Sequence, residues 1–302
     1  MPPDSVSIKL TIHFDKKLKA WVLVPGGWFP LQLAAVDVLL VDRNITSALK
    51  TLETSPNRPD LTADKWWLEH LNKPSPVINP VLCAMEGRWR SPPTFEQFET
   101  ELDVSYAILK RTLPQASVLR HPKEHLHAVY EVCISQAPRM QREIDFLVAV
   151  CPVLSSRSPT GKEARLETFI FQEADRLGVS RQSLCCLAAL SVLYELRDGN
   201  QPRIGRGVLK PKPQYNESFA YSALSDLRAL EFLAAGSSLP GPSLGLCTRD
   251  KHLAAFWTYL GVHSGTWDGK SFSASYTPKS DLFPRLNEDA FIALFRHIKD
   301  EA

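Results

Sequence analysis

Short apolar runs, each followed by a stretch with helical periodicity, mark the two ends of the chain. Strand-like runs stand at 36–41, 77–81 and 244–247. The first and last lead into polar residues that favour the start of a helix, and the second leads into a predicted helix that contains Glu86. Residues 6–14 alternate between apolar and polar, and 20–24 could pair with them across a charged turn. Strands that alternate with helices are typical of α/β proteins. We therefore expect a three-layer α/β sandwich with a mostly parallel central sheet and an N-terminal β-hairpin.

The middle of the chain is predicted to be entirely helical. Thr94 and Gln97 have the spacing of a capping box, and apolar residues recur at helical spacing as far as about residue 196. Gly178 is a plausible helix end, and Ser180 a plausible start of the next helix. The predicted helices lie at about 95–109, 126–134, 139–150, 163–177 and 180–196.

This pattern divides the chain into three parts. Residues 1–30 form the hairpin extension, 31–93 together with 206–302 form the α/β core, and 94–205 form a helical insertion. Between residues 199 and 216 the chain has four basic residues, three prolines and no acid, which predicts an extended, mobile connector. A helix over about 217–235 follows it.

Composition indicates a globular protein of ordinary charge. The 302 residues are 44% hydrophobic, and the net charge of +2 means that any nucleic-acid surface must be a local patch. The six cysteines have no metal-site or disulfide spacing, which favours buried, reduced thiols. No apolar run has the length of a membrane span, and the N-terminus has no signal-like core. We expect a cytoplasmic protein.

Four acids are candidates for a shared site. Asp42 and Asp250 follow strand-like runs, and parallel strands bring their carboxyl ends to one edge of a sheet. Glu86 and Asp226 lie in predicted helices next to that edge. Each acid also has a structural explanation: Asp42 and Asp250 as helix N-caps, Glu86 as a surface residue paired with Arg88 or Arg90, and Asp226 at the border of a buried helical face.

Together, the four acids predict a site for a hard cation. Carboxylates that converge in a cleft repel one another, and Mg²⁺ or Mn²⁺ removes that repulsion because these ions prefer oxygen ligands. Such ions activate water and stabilise the oxygens of a phosphodiester displacement. We expect Asp42, Asp226 and Asp250 to lie within reach of one cation, with Glu86 close by.

Four segments, in order, resemble the motifs of PIN-domain ribonucleases: VDVLLVDRNITSAL, VINPVLCAMEG, ALSDLRALEFLAA and LGLCTRDKHL. The resemblance covers about 36–92 and 216–262 and leaves the helical insertion unexplained. It implies a PIN-like fold and an endoribonuclease that depends on Mg²⁺ or Mn²⁺. By this resemblance the metal ligands and catalytic residues are Asp42, Glu86, Asp226 and Asp250, while Asn44 and Thr248 hydrogen-bond those carboxylates or the attacking water.

Several alternatives stay open. The same carboxylates would serve a nuclease for structured DNA, and a PIN-like core without activity would be a binding or scaffolding module. The helical insertion could bind a protein partner. His121, Glu124 and His125 spell an inverted zincin pattern, although Pro122 favours an ordinary helix start. The residues predicted to contact nucleic acid are Arg88, Arg90, Arg203, Arg206, Lys210 and Lys212.

Overall fold

The computed structural model describes residues 19–55, 70–135, 137–156, 161–196, 203–267 and 272–299. The predicted strand at 6–14 lies outside these ranges. The strands are β1 (Trp21–Val24), β2 (Gly27–Pro30), β3 (Val38–Val41), β4 (Val77–Asn79), β5 (Leu244–Thr248), β6 (Val262–Trp267) and β7 (Phe272–Tyr276).

Helices make up most of the remaining described chain. The α-helices are α1 (Arg43–Thr54), α2 (Val81–Glu86), α3 (Phe95–Thr112), α4 (Lys123–Ile134), α5 (Ala137–Leu154), α6 (Glu163–Leu177), α7 (Leu184–Leu193), α8 (Ile204–Leu209), α9 (Glu217–Ser237), α10 (Lys251–Leu260) and α11 (Glu288–Lys299). No described helix is long and apolar enough to cross a membrane. The protein is thus of the α/β class.

The central sheet has five strands in the order β2-β1-β5-β3-β4. Strands β4, β3 and β5 are parallel, whereas β1 runs antiparallel to both β5 and β2. The sheet is therefore mixed, and the expected mostly parallel sheet is wrong in that respect. The described hairpin joins β1 to β2 through Pro25-Gly26, where Gly26 has a φ of 84° that suits a tight turn. Strands β6 and β7 form a separate antiparallel pair that the sequence pattern does not predict.

Alternating strand residues face two hydrophobic clusters. Leu39 and Val41 of β3 pack into one cluster with residues of α1 and α3, such as Ile45 and Leu109. Leu40 faces the other cluster, which extends through α5, α7 and α9 as far as α11. The period of two along a strand produces this division. The helices of the predicted insertion therefore share one continuous core with the sheet.

The predicted helices of the insertion are present, with shifted ends. The capping box of Thr94 and Gln97 is formed, and α6 ends before Gly178 in a left-handed conformation, both as predicted. The predicted cap at Ser180 is wrong: its hydroxyl oxygen accepts the N–H of Gln182 within a turn, and Ser183 caps α7. Helix α7 also ends at Leu193, three residues earlier than expected.

Two predictions near the sheet edge are also wrong in detail. The strand predicted at 77–81 ends at Asn79, because the Asn79 side chain accepts the N–H of Val81 at 3.0 Å and α2 begins there. Glu86 is the last residue of α2, so it lies in a helix as predicted. The basic connector is not extended throughout, since it contains α8, in which Ile204 and Val208 are buried.

Two glycines allow α8 to pack closely against α7 and against the start of α10. An added Cβ at Gly205 would lie 2.6 Å from the carbonyl oxygen of Ala188, and one at Gly207 would lie 2.0 Å from Cγ of His252. The helix therefore fits tightly between α7 and the start of α10. It ends at Lys210, a non-glycine residue in the left-handed conformation with a φ of 49°.

Candidate active site

Asp42 stands at the carboxyl end of β3, next to the end of β5. Its backbone N–H donates to the carbonyl oxygen of Cys247 at 3.0 Å, so the two parallel strands end side by side. Asp42 precedes α1 but its side chain makes no capping bond. Its Oδ2 instead accepts from Asn44 Nδ2 at 2.5 Å and from Thr248 Oγ1 at 2.7 Å. The N-cap explanation therefore does not account for Asp42.

Asn44 and Thr248 form a small polar network around that carboxylate. Asn44 Nδ2 also lies 3.1 Å from Thr248 Oγ1, and Asn44 Oδ1 accepts the N–H of Arg249 at 3.0 Å. Thr248 is fully buried, so its hydroxyl has one well-defined orientation. These bonds connect β5 to the start of α1 and fix the direction of the Asp42 carboxylate.

Asp250 combines a structural role with a position in the site. Its Oδ1 caps α10 by accepting the N–H groups of His252 and Leu253 at 2.8 and 3.2 Å. Its Oδ2 lies 3.6 Å from the Nζ of Lys210. The N-cap explanation is thus correct for one oxygen, and the other oxygen faces the ammonium at the end of α8.

Glu86 is held near Asp42 by Arg43. Arg43 Nη1 lies 3.7 Å from Glu86 Oε1 and also donates to the carbonyl oxygen of Gly87. Burial and then the charge of Asp42 raise the pKa of Glu86 to about 7, although Arg43 opposes the shift. Its place at the carboxyl end of a helix also disfavours a negative charge.

Among the four acids, Asp226 has the fewest described contacts that would stabilise its negative charge. It lies on α9 and has no hydrogen bond or ion pair among the described residues. Burial, followed by the charges of Asp42 and Glu86, raises its pKa well above the ordinary range. The pKa of Asp42 is raised as well, chiefly by burial and against the hydrogen bond from Thr248. These shifts show that the carboxylates affect one another electrostatically.

All four acids line one open cleft of about 980 Å³. Within the described ranges, however, no three His, Cys, Asp or Glu side chains are grouped closely enough to hold a metal ion. The expected placement of Asp42, Asp226 and Asp250 within one cation's reach is therefore not found. Like charges repel, and Asp42, Glu86 and Asp250 are each oriented by a neighbouring donor or cation. The cleft also contains cations that the sequence interpretation missed: Lys19, Arg43, Arg249 and Lys251.

The basic residues predicted to contact nucleic acid do not all lie in one place. Lys210 lines the cleft, whereas Arg206 points into the helical block, where it pairs with Glu195 at 2.5 Å and donates to the carbonyl oxygen of Ser155. Arg203 stands at the N-cap position of α8. The remaining three lie on a neighbouring surface: Arg88, Arg90 and Lys212.

The inverted zincin pattern does not assemble. Pro122 is the N-cap residue of α4, so His121 precedes the helix, and its Nε2 lies 3.4 Å from the Asn79 side chain. His125 is exposed on the first turn of α4. The two histidines therefore do not share a rigid helical face, and an ordinary helix start accounts for the pattern.

Comparisons with family models, curated proteins and solved structures found no match to this chain. The resemblance of four segments to PIN-domain ribonucleases thus stays a prediction, and function must be inferred from the chemistry of the cleft.

Proposed function

We propose that this protein is a metal-dependent nuclease that hydrolyses phosphodiester bonds, with RNA as its substrate. One observation carries the proposal: four carboxylates from four separate segments line one cleft, and the pKa values of three of them are raised. Buried acids without compensation destabilise a fold. A divalent cation bound between the carboxylates would offset this destabilisation, and this favours a metal-binding role for the cleft.

The residues of the cleft fit Mg²⁺ or Mn²⁺. Their donor set consists of carboxylate oxygens, which these hard cations prefer, and Asp226 lacks any other described partner. Asp42, Glu86, Asp226 and Asp250 are the residues that would hold the metal. When bound, the metal would lower the pKa of water and stabilise charge on the phosphate.

The other cleft residues have roles that follow from their contacts. Asn44 and Thr248 orient Asp42 through hydrogen bonds of 2.5 and 2.7 Å. Glu86, whose pKa burial raises to about 7 in the absence of a metal, would exchange its proton for the metal near neutral pH. Lys210 and Arg43 supply positive charge for the phosphate oxygens of a nucleic acid strand.

The first test is cleavage of labelled single-stranded RNA and DNA in Mn²⁺, Mg²⁺ or EDTA. We expect the wild type to cut RNA only with metal, and Asp42→Asn to reduce the rate by at least about 100-fold, because one charge near the reacting phosphate is lost. Asp37→Asn is the matched control: Asp37 lies at the opposite end of the same strand and is exposed.

The outcome separates the alternatives. Cleavage of DNA alone would retain the mechanism and change the substrate. If folded wild-type protein cuts neither polymer in any metal, the nuclease proposal is wrong and a binding or scaffolding module becomes the better explanation. Cleavage that survives in Asp42→Asn would place the chemistry outside this cleft.

A further inference from the structure

A surface beside the cleft combines aromatic rings with basic side chains. Arg88, Trp89 and Arg90 directly follow Glu86 and Gly87, and all three are exposed, with Trp89 at 40%. Phe219 lies in the first turn of the neighbouring α9, and Lys212 lies in the segment that precedes this helix. We call these five residues the aromatic–basic surface. The sequence interpretation named its basic residues but neither of its rings.

Contacts within the loop hold the ring of Trp89 in place. The guanidinium carbon of Arg88 lies 5.4 Å from the ring centroid, and Arg88 is itself anchored by the buried carboxylate of Glu101. Gly87 has a φ of 59° and a ψ of −177°, a conformation found almost only in glycine. A Cβ there would lie 3.4 Å from Trp89 Cε3, so the ring rests against the Gly87 backbone.

Arg90 connects this loop to the helix that carries Asp226. Its Nη1 donates to Ser218 Oγ at 3.2 Å, and Arg90 itself has a left-handed φ of 56°. Ser218, Ser222 and Asp226 are spaced by four residues and share one face of α9. Ser222 and Asp226 line the cleft. The rise along α9 from Ser218, which Arg90 contacts, to Asp226 is therefore about 12 Å at 1.5 Å per residue.

Lys212 joins the surface through Phe219, the residue that follows Ser218 in α9. Its Nζ lies 3.9 Å from the centroid of the Phe219 ring, in cation–π geometry. Among the described residues, neither Arg90 nor Lys212 forms an ion pair with a carboxylate. Two cations thus remain available to an anionic partner, next to two rings and a short distance from the carboxylates.

We propose that the aromatic–basic surface binds unpaired nucleotides of the strand that is cut, with a base stacked on Trp89 and phosphates on Arg90 and Lys212. Aromatic rings among cations are the usual platform for single-stranded nucleic acid, because every base has a π-face and every linkage a negative charge. Bases in a duplex are stacked on each other and are not available to Trp89. The surface therefore selects unpaired over paired substrate. This inference rests on the proposed nuclease function.

Binding in EDTA tests the surface without cleavage. We would measure the fluorescence anisotropy of a short labelled RNA strand, the corresponding DNA strand and a blunt RNA duplex. The wild type should bind single strands more tightly than duplex, and Trp89→Ala should weaken single-strand binding about 10-fold, while Trp89→Phe retains most of it. Arg90→Gln and Lys212→Gln should each reduce the salt dependence of binding by about one unit of slope.

Trp28→Ala is the matched control. Trp28 lies on β2, is exposed to 37%, a value close to that of Trp89, and does not line the cleft. It should bind single strands as the wild type does. The inference is wrong if Trp89→Ala binds like the wild type, if both tryptophan variants lose affinity equally, or if the wild type binds no single strand.

Failure of this inference can be told from failure of the nuclease proposal. If Trp89→Ala binds and cuts single strands as well as the wild type, the surface has no such role and the nuclease stands. If binding depends on Trp89 but no metal supports cleavage, the surface stands and the protein is a single-strand-binding module.

Discussion

Asp42 and Asp226 are acids whose surroundings disfavour their charge. Among the described residues, Asp42 has hydrogen-bond donors close by and Asp226 has none, and burial raises the pKa of both. An acid with a raised pKa in the folded state retains a proton that the unfolded chain releases. Its contribution to stability is therefore fully present below the unfolded pKa and is lost as the pH rises through the folded pKa.

The first prediction concerns the stability of Asp226→Asn. The variant should be more stable than the wild type at pH 8 in EDTA, by about 1–3 kcal/mol, because an amide does not have to ionise in the cleft. The difference should disappear near pH 4. Urea denaturation at both pH values measures it, with the exposed Asp103→Asn as control. A variant less stable than the wild type at pH 8 would contradict the raised pKa.

The second prediction concerns the pH dependence of cleavage. Glu86 has a pKa of about 7, so its charged form increases between about pH 6 and 8. At subsaturating Mg²⁺ the rate should rise over that range, because the charged carboxylate is the form that binds the metal. Glu86→Gln should be slow and lack this rise, whereas the exposed Glu124→Gln should retain the wild-type profile. A profile unchanged in Glu86→Gln would exclude Glu86 as the titrating group.

At the scale of elements, α8 is what brings Lys210 to the cleft. Gly205 and Gly207 allow the helix to approach α7 and His252, and Arg206 fastens it to Glu195. The left-handed turn at Lys210 then directs the ammonium to within 3.6 Å of Asp250. This short and mostly buried helix thereby connects the helical block to the cleft at the edge of the sheet.

The third prediction tests this packing. Gly205→Ala should destabilise the protein by about 1–3 kcal/mol. The new Cβ would lie 2.6 Å from a backbone oxygen of α7, and relieving this clash requires one of the two helices to move. It should also slow cleavage by moving Lys210. Gly27→Ala is the control, since a Cβ at Gly27 meets no atom within 4 Å. Denaturation measures the loss of stability, and the cleavage rate measures the displacement of Lys210. If Gly205→Ala has the stability and the cleavage rate of the wild type, the contact between α8 and α7 is loose.

Elements fixed by local signals could be predicted from the sequence, and those fixed by distant contacts could not. The strand before Asp42, the helix that carries Asp226 and the capping box at Thr94 each have a local pattern, and all are present. In contrast, α8 depends on contacts with α7 and α10 that no local pattern encodes. The rings of Trp89 and Phe219 become informative only once Arg90 is seen to join their segments.

At the scale of the whole molecule, the helical block and the sheet share a core. The larger hydrophobic cluster contains Leu40 and Leu246 of the sheet together with Phe146 of α5 and Leu187 of α7. Helix α9 contacts both the sheet and α5, so the helix that carries Asp226 stands between the two regions. The block interrupts the α/β pattern in sequence, yet its apolar faces complete the core of the protein.

The last prediction is that the described regions unfold as one unit. Phe146 is fully buried in the helical block, so Phe146→Ala should cost about 3–5 kcal/mol. If the core is shared, the slowest-exchanging amides of β3 and β5 should lose protection by the same free energy, although they lie outside the block. Hydrogen exchange of these strands measures the effect. Val132→Ala, at a site in the same block that is 62% exposed, should leave the exchange unchanged. Loss of protection confined to α5 and its helical neighbours would instead show a block that unfolds alone, and the cleft would then not depend on it for stability.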